Sequence, residues 1–158
     1  MKTQYLMTVV LGTLLAVATG PANAGEKKLS KDQVPKEVIT AFEKAYPHAK
    51  GMKFEEETFE GKAAYEVEYK ENGKEYEATY SADGTLLQKE EEIDRESLPG
   101  PVADAVKKAY PEARIEEVEK LMKPDNTVTG YEVEIKSAGK EIELELDANG
   151  NILKTENE

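Results

Sequence analysis

Tyr65-Glu66-Val67-Glu68-Tyr69-Lys70-Glu71-Asn72-Gly73-Lys74-Glu75-Tyr76-Glu77-Ala78-Thr79-Tyr80 decides the fold of this chain. Apolar and charged residues alternate on both sides of Asn72-Gly73, and a side-chain period of two belongs to a β-strand with one dry face. Asn-Gly supplies the two positive-φ positions of the tight turn that matches the twist of paired strands. A two-residue turn there sets Tyr69 opposite Tyr76 and Tyr65 opposite Tyr80 on one face. It sets Glu68 opposite Glu77 on the other.

The stretch is written twice. Tyr131-Glu132-Val133-Glu134 follows Tyr65-Glu66-Val67-Glu68 at an offset of 66, and Ala138-Gly139-Lys140-Glu141 stands where Asn72-Gly73-Lys74-Glu75 stood. Upstream, Val34-Pro35 with Ala45-Tyr46-Pro47-His48-Ala49 returns 64 positions later as Leu98-Pro99 with Ala109-Tyr110-Pro111-Glu112-Ala113. The offset changes inside the Pro124-Asp125-Asn126 turn region. Ordered agreement of this length marks an internal duplication.

Each copy opens with a helix. Val38, Ala41, Phe42 and Ala45 share one helical face, as do Val102, Ala105, Val106 and Ala109. Tyr46-Pro47 and Tyr110-Pro111 end the helices, because a residue before proline leaves the helical region. Further strands are expected near Met52 to Phe59, Thr85 to Glu91, Ile115 to Met122 and Asn151 to Thr155. The fold class read from this is α+β: a tandem duplicate of a helix packed on a four-stranded antiparallel sheet. The first repeat is placed at residues 25–93 and the second at 94–158, with a short join from Glu91 to Ser97 that allows either one shared eight-stranded sheet or two four-stranded lobes.

Residues 1–24 read as an export signal. Lys2 precedes an apolar run from Leu6 to Ala18, and Gly20-Pro21 leads to Ala22-Asn23-Ala24, a small-residue cleavage site. The run is short for a membrane span. The expectation is cleavage after Ala24, a periplasmic or secreted mature chain and no stable membrane insertion. Among its 158 residues are 33 Asp plus Glu against 21 Lys plus Arg, a formal charge of −12. Such acidity argues against nucleic acid, which needs a basic surface. The absence of Cys excludes disulfides and thiolate metal sites.

The ordered text Leu-Pro, Tyr-Pro-x-Ala, Gly-x-x-x-Tyr-Glu-Val-Glu, Gly-Lys-Glu and Asp-Gly-x-Leu-Leu resembles the PepSY-like, beta-lactamase-inhibitor-like family of exported bacterial proteins. The resemblance runs over about residues 30 to 157 in two copies. It implies a helix on a four-stranded antiparallel sheet, usually duplicated. Related PepSY units occur in peptidase propeptides, which they are held to restrain. No catalytic residues carry over.

No residue pattern points to catalysis. The single histidine, His48, falls in a polar turn and becomes Glu112 in the second copy. Ser30, Ser81, Ser97 and Ser137 sit in turns or linkers without a base beside them. Asp147-Ala148-Asn149-Gly150-Asn151 lacks the spacing and the closing glutamate of a calcium loop and reads as a hairpin turn. No cofactor is expected.

The unusual feature is the polar face. The same registers set Glu134 opposite Glu143 and Glu132 opposite Glu145, and like charges directly across a strand pair destabilise it. Lys70 opposite Glu75 and Lys136 opposite Glu141 relieve only the turn ends. Lys53, Lys89, Lys120 and Lys154 are the expected neutralisers from neighbouring strands. The candidate partner-binding face is therefore Glu66, Glu68, Glu75, Glu77, Glu132, Glu134, Glu141, Glu143 and Glu145. The expected function is a non-catalytic module binding an unidentified protein or peptide of basic character. Inhibition of an exported peptidase or other hydrolase, and weak divalent-cation binding or sensing through the acidic face, are the alternatives.

Overall fold

The computed structural model describes residues 27–157, so the signal-peptide reading and its cleavage site lie outside the described residues. Strands β1 (Lys27–Leu29), β2 (Lys50–Phe59), β3 (Lys62–Glu71), β4 (Lys74–Tyr80) and β5 (Leu86–Glu92) enclose helix α1 (Lys36–Ala45) in sequence. Helix α2 (Gly100–Ala109) then leads into β6 (Arg114–Met122), β7 (Val128–Ser137), β8 (Lys140–Asp147) and β9 (Ile152–Asn157). Neither helix is long and apolar enough to cross a membrane.

The deciding hairpin forms in the expected register, with Tyr69 opposite Tyr76, Tyr65 opposite Tyr80 and Glu68 opposite Glu77. Asn72 and Gly73 take φ of 53° and 84°, the left-handed pair that this turn requires. The second copy makes the same turn with Ala138 at 52°, a conformation that an alanine Cβ resists.

Apolar side chains opposite the glutamates form the core. Val38 and Phe42 of α1 pack on Phe54, Val67, Tyr69, Ala78 and Tyr80. Phe42 meets the Tyr69 ring edge-on, with centroids 5.1 Å apart, an arrangement favoured by the ring quadrupoles. Val102 and Val106 of α2 pack on Val118, Val133, Ile135, Leu144 and Leu146. Ile142 and Leu146 replace Tyr76 and Tyr80, so these tyrosine positions serve packing in both copies. Each helix is also held at its first turn. A Cβ on Gly84 would lie 2.6 Å from the Glu37 carbonyl oxygen, and one on Gly150 would lie 2.3 Å from that of Pro101.

The α+β expectation of a helix on a four-stranded sheet, present twice, is overturned, and of the two arrangements open to the join it is one shared sheet that forms. Among the described residues all nine strands form one antiparallel sheet in chain order, β1 to β9, with two ten-residue α-helices. The reason is the join. β5 runs on to Glu92 and pairs its outer edge with β6, from Lys89 opposite Met122 to Glu92 opposite Glu119. Ile93 then donates its N–H to the Val118 carbonyl at 2.9 Å. An edge left open between the copies would expose unpaired N–H and C=O groups, and pairing satisfies them. The alternation stays in phase across this seam, so both helices cover the same face and the glutamates of both copies share the other. β1, a strand absent from the sequence reading, covers the outer edge of β2.

Candidate functional site

Register alone collects the glutamates. On the face away from the helices, Glu55 lies opposite Glu66, Glu68 opposite Glu77, and Glu77 opposite Glu90. Beyond the seam, Glu117 faces Glu134, Glu119 faces Glu132, Glu132 faces Glu145 and Glu134 faces Glu143. The three like-charge pairings expected from the hairpins are all present. Glu75 and Glu141 stand at the rim, in ion pairs with Lys70 and Lys136.

Two of the four expected neutralising lysines are on the other face. Lys53 reaches Glu68 at 2.7 Å, and Lys154 lies 2.9 Å from Glu156 and 3.9 Å from Glu143. Lys89, however, lies opposite the core residue Ala78 and reaches Asn126, while Lys120 pairs with Glu91 at 2.6 Å. The middle of the acidic face thus receives little countercharge from them.

That middle is not an open surface. Glu90 is 5% exposed and Glu119 8%, although the sequence reading named neither. A cavity of about 150 Å³ is walled by carboxylates from β2, β3, β4, β6, β7 and β8, Glu55, Glu77 and Glu119 among them. A wider opening beside it is lined by Glu57, Glu90, Glu145 and Glu156. One carboxylate oxygen each from Glu66, Glu77 and Glu90 lie within 4.8 Å of one another, and so do those of Glu90, Glu119 and Glu132. Glu90, on the seam strand, belongs to both triads.

The electrostatics follow from this packing. Burial, then the charges of Glu77, Glu90 and Glu132, pushes the Glu119 carboxyl far above the usual carboxylate range. Burial, then Glu90 and Glu143, does the same to Glu132. Glu90 is raised chiefly by burial, against a hydrogen bond donated by Gln88 Nε2 at 3.1 Å. Glu57 and Glu117 are raised, again by burial first. Thr79, opposite Glu66 and Gln88 on the same face, is 0% exposed, and its hydroxyl lies beside Glu57, whose carboxyl it draws down against the effect of burial. A buried carboxylate oxygen of Glu55 is without a hydrogen bond. Unmet buried polar atoms are costly.

The other singled-out residues lie elsewhere. His48 is exposed in the turn after α1. Asp147 accepts hydrogen bonds from the backbone N–H groups of Asn149 and Asn151, both at 2.9 Å, which closes the β8–β9 turn. Ser30 hydrogen-bonds Gln33 at the short helical turn before α1, and Ser81 bonds Asp83 in the β4–β5 turn.

Among curated proteins none matches the chain. Solved structures share the fold. A BLIP-like protein from Bacteroides fragilis is 23% identical, with a TM-score of 0.53 over 78% of this chain and 86% of its own. DUF2874 family proteins from Bacteroides uniformis and Bacteroides ovatus are 18% and 20% identical, with TM-scores of 0.58 and 0.56. They cover 78% and 80% of this chain and 89% of their own in each case. The family described as beta-lactamase-inhibitor-like, PepSY-like matches residues 22–88 and again 86–154, most of the chain in two copies, and the protein belongs to that family.

Proposed function

We propose that this protein is a non-catalytic periplasmic module that binds a divalent cation, calcium by its donor chemistry, in the acidic trough. One observation carries the reading: Glu90 and Glu119 are withdrawn from water among further carboxylates, with two triads of oxygens each inside 4.8 Å. A carboxylate taken out of water next to others of its kind must hold a proton or meet a cation. Carboxylate oxygens suit hard cations, whereas zinc favours nitrogen and sulfur. Calcium accepts six to eight oxygens in flexible geometry, and five glutamates on adjacent strands offer ten. Magnesium demands a tighter octahedron.

A basic peptide remains a weaker fit, because the clustered carboxylates lie below the rim. A periplasmic setting is supported by the family and by a fold neighbour from Bacteroides eggerthii, provisionally described as a periplasmic protein.

Calorimetry on chelator-treated protein tests the reading. Saturable calcium binding with a Kd on the order of 0.1 mM or tighter is expected, with magnesium weaker, and Glu90→Gln reducing affinity at least tenfold. No heat and no melting shift at millimolar calcium would refute it.

A further inference from the structure

We infer that the outer edge of β9 is a pairing edge and that it receives the same edge of a second copy of this chain, antiparallel about Thr155. The inference is independent of the cation reading. The molecule already uses such a joint twice. β5 on β6 and β1 on β2 are the same joint, since Glu91 opposite Lys120, Glu92 opposite Glu119 and Ile93 on Val118 return 64 positions earlier as Lys27 opposite Glu56, Lys28 opposite Glu55 and Leu29 opposite Phe54. β9 is the third strand of this type. Its register on β8, bulge included, repeats that of β5 on β4 at an offset of 66. Among the described residues its outer edge takes no strand.

The side chains tell the same story. Leu86 and Leu87 are half-buried, and Leu87 lines a cavity together with Met122 and Pro124 of the following strand and its turn. Their counterparts Ile152 and Leu153, beside an edge that no described strand covers, are 39% and 61% exposed. Large apolar side chains left exposed beside an unpaired edge are what natural sheets avoid unless they are used.

A second copy fits because the edge is complementary to itself in one register. The Ile93 bond shows that the odd-numbered residues of β5 turn their backbone groups outward. The equivalent outward residues of β9 are Thr155 and Asn157, because N–H and C=O of one residue point to the same side of an antiparallel strand. A two-fold axis at Thr155 places Lys154 opposite Glu156 of the second copy, twice. Sliding by two residues either way places Lys154 on Lys154 or Glu156 on Glu156, and like charges directly opposite are disfavoured. Lys154 and Glu156 are both solvent-accessible. The joint on β2 that β9 could otherwise imitate is already taken by β1, which the Lys27–Glu56 ion pair at 3.0 Å holds in place.

Sedimentation equilibrium of the purified exported protein at about 50 µM, where weak dimers are populated, reads the outcome. A dimer is expected. Thr155→Pro, which removes an outward N–H that β8 does not use, should return a monomer that melts where wild type melts once diluted to a monomer. Lys154→Glu and Glu156→Lys should each weaken dimerisation at least tenfold, and the double exchange should restore it. A wild-type monomer at that concentration overturns the inference. So does a dimer indifferent to Thr155→Pro, or one that the double exchange does not rescue.

Discussion

Replacing Glu119 by Gln should stabilise the cation-free protein at neutral pH. Glu119 is 8% exposed, and burial followed by the charges of Glu77, Glu90 and Glu132 raises its carboxyl from 4.5 to about 11. A carboxyl whose folded pKa is raised contributes stability that is complete below 4.5 and lost as pH climbs toward the folded pKa. At pH 7.5 the folded chain must hold that proton about three pH units above where the unfolded chain releases it. At about 1.4 kcal/mol per unit this costs about 4 kcal/mol. Water entering the trough and relaxation of the strands reduce it, so a gain of about 2 to 4 kcal/mol is expected for Glu119→Gln. For a domain of this size that corresponds to a melting shift on the order of 10 °C. Urea unfolding in the presence of chelator, at pH 7.5 and at pH 4.5, is the assay. The gain should be large at the higher pH and fade at the lower. A variant no more stable than wild type at pH 7.5, or equally stabilised at both, would refute the reasoning.

Two further substitutions probe the frame that holds the trough. Ala138→Asn should raise stability by about 0.5 to 1 kcal/mol, because asparagine tolerates the φ of 52° that Ala138 is forced to adopt; a loss of stability in denaturant would contradict the turn assignment. Gly150→Ala should destabilise by about 1 to 3 kcal/mol, since its Cβ would stand 2.3 Å from the Pro101 carbonyl oxygen at a φ of 83°. An unchanged midpoint would show that the β8–β9 turn does not press on α2.

What the sequence discloses here is local pairing. Tyr65, Val67 and Tyr69 against Asn72-Gly73 specify one register, because turn and apolar pattern agree, and the Glu68–Glu77, Glu134–Glu143 and Glu132–Glu145 pairings follow from it. Helix ends at Tyr46-Pro47 and Tyr110-Pro111 are equally legible. The seam is not. No tight turn links β5 to β6, so nothing in the text states their register, and Lys89 and Lys120 could not be assigned to a face. Alternation also tells which face a residue occupies, not whether that face stays wet. Glu90 and Glu119 are buried only because β5 and β6 bring the two halves of one sheet together. The signal that was available was Glu117 and Glu119 alternating through β6, in step with Glu55 and Glu57 of β2.

The most direct test of the central claim is the number of protons that leave when calcium arrives. Titrating chelator-treated protein at pH 7.5 in two buffers of different ionisation enthalpy measures it. Carboxyls held protonated by burial and by one another should surrender about one to two protons per calcium, because ligands must ionise to bind. Calcium binding without net proton release would contradict the account, as would a trough that takes up no calcium at all.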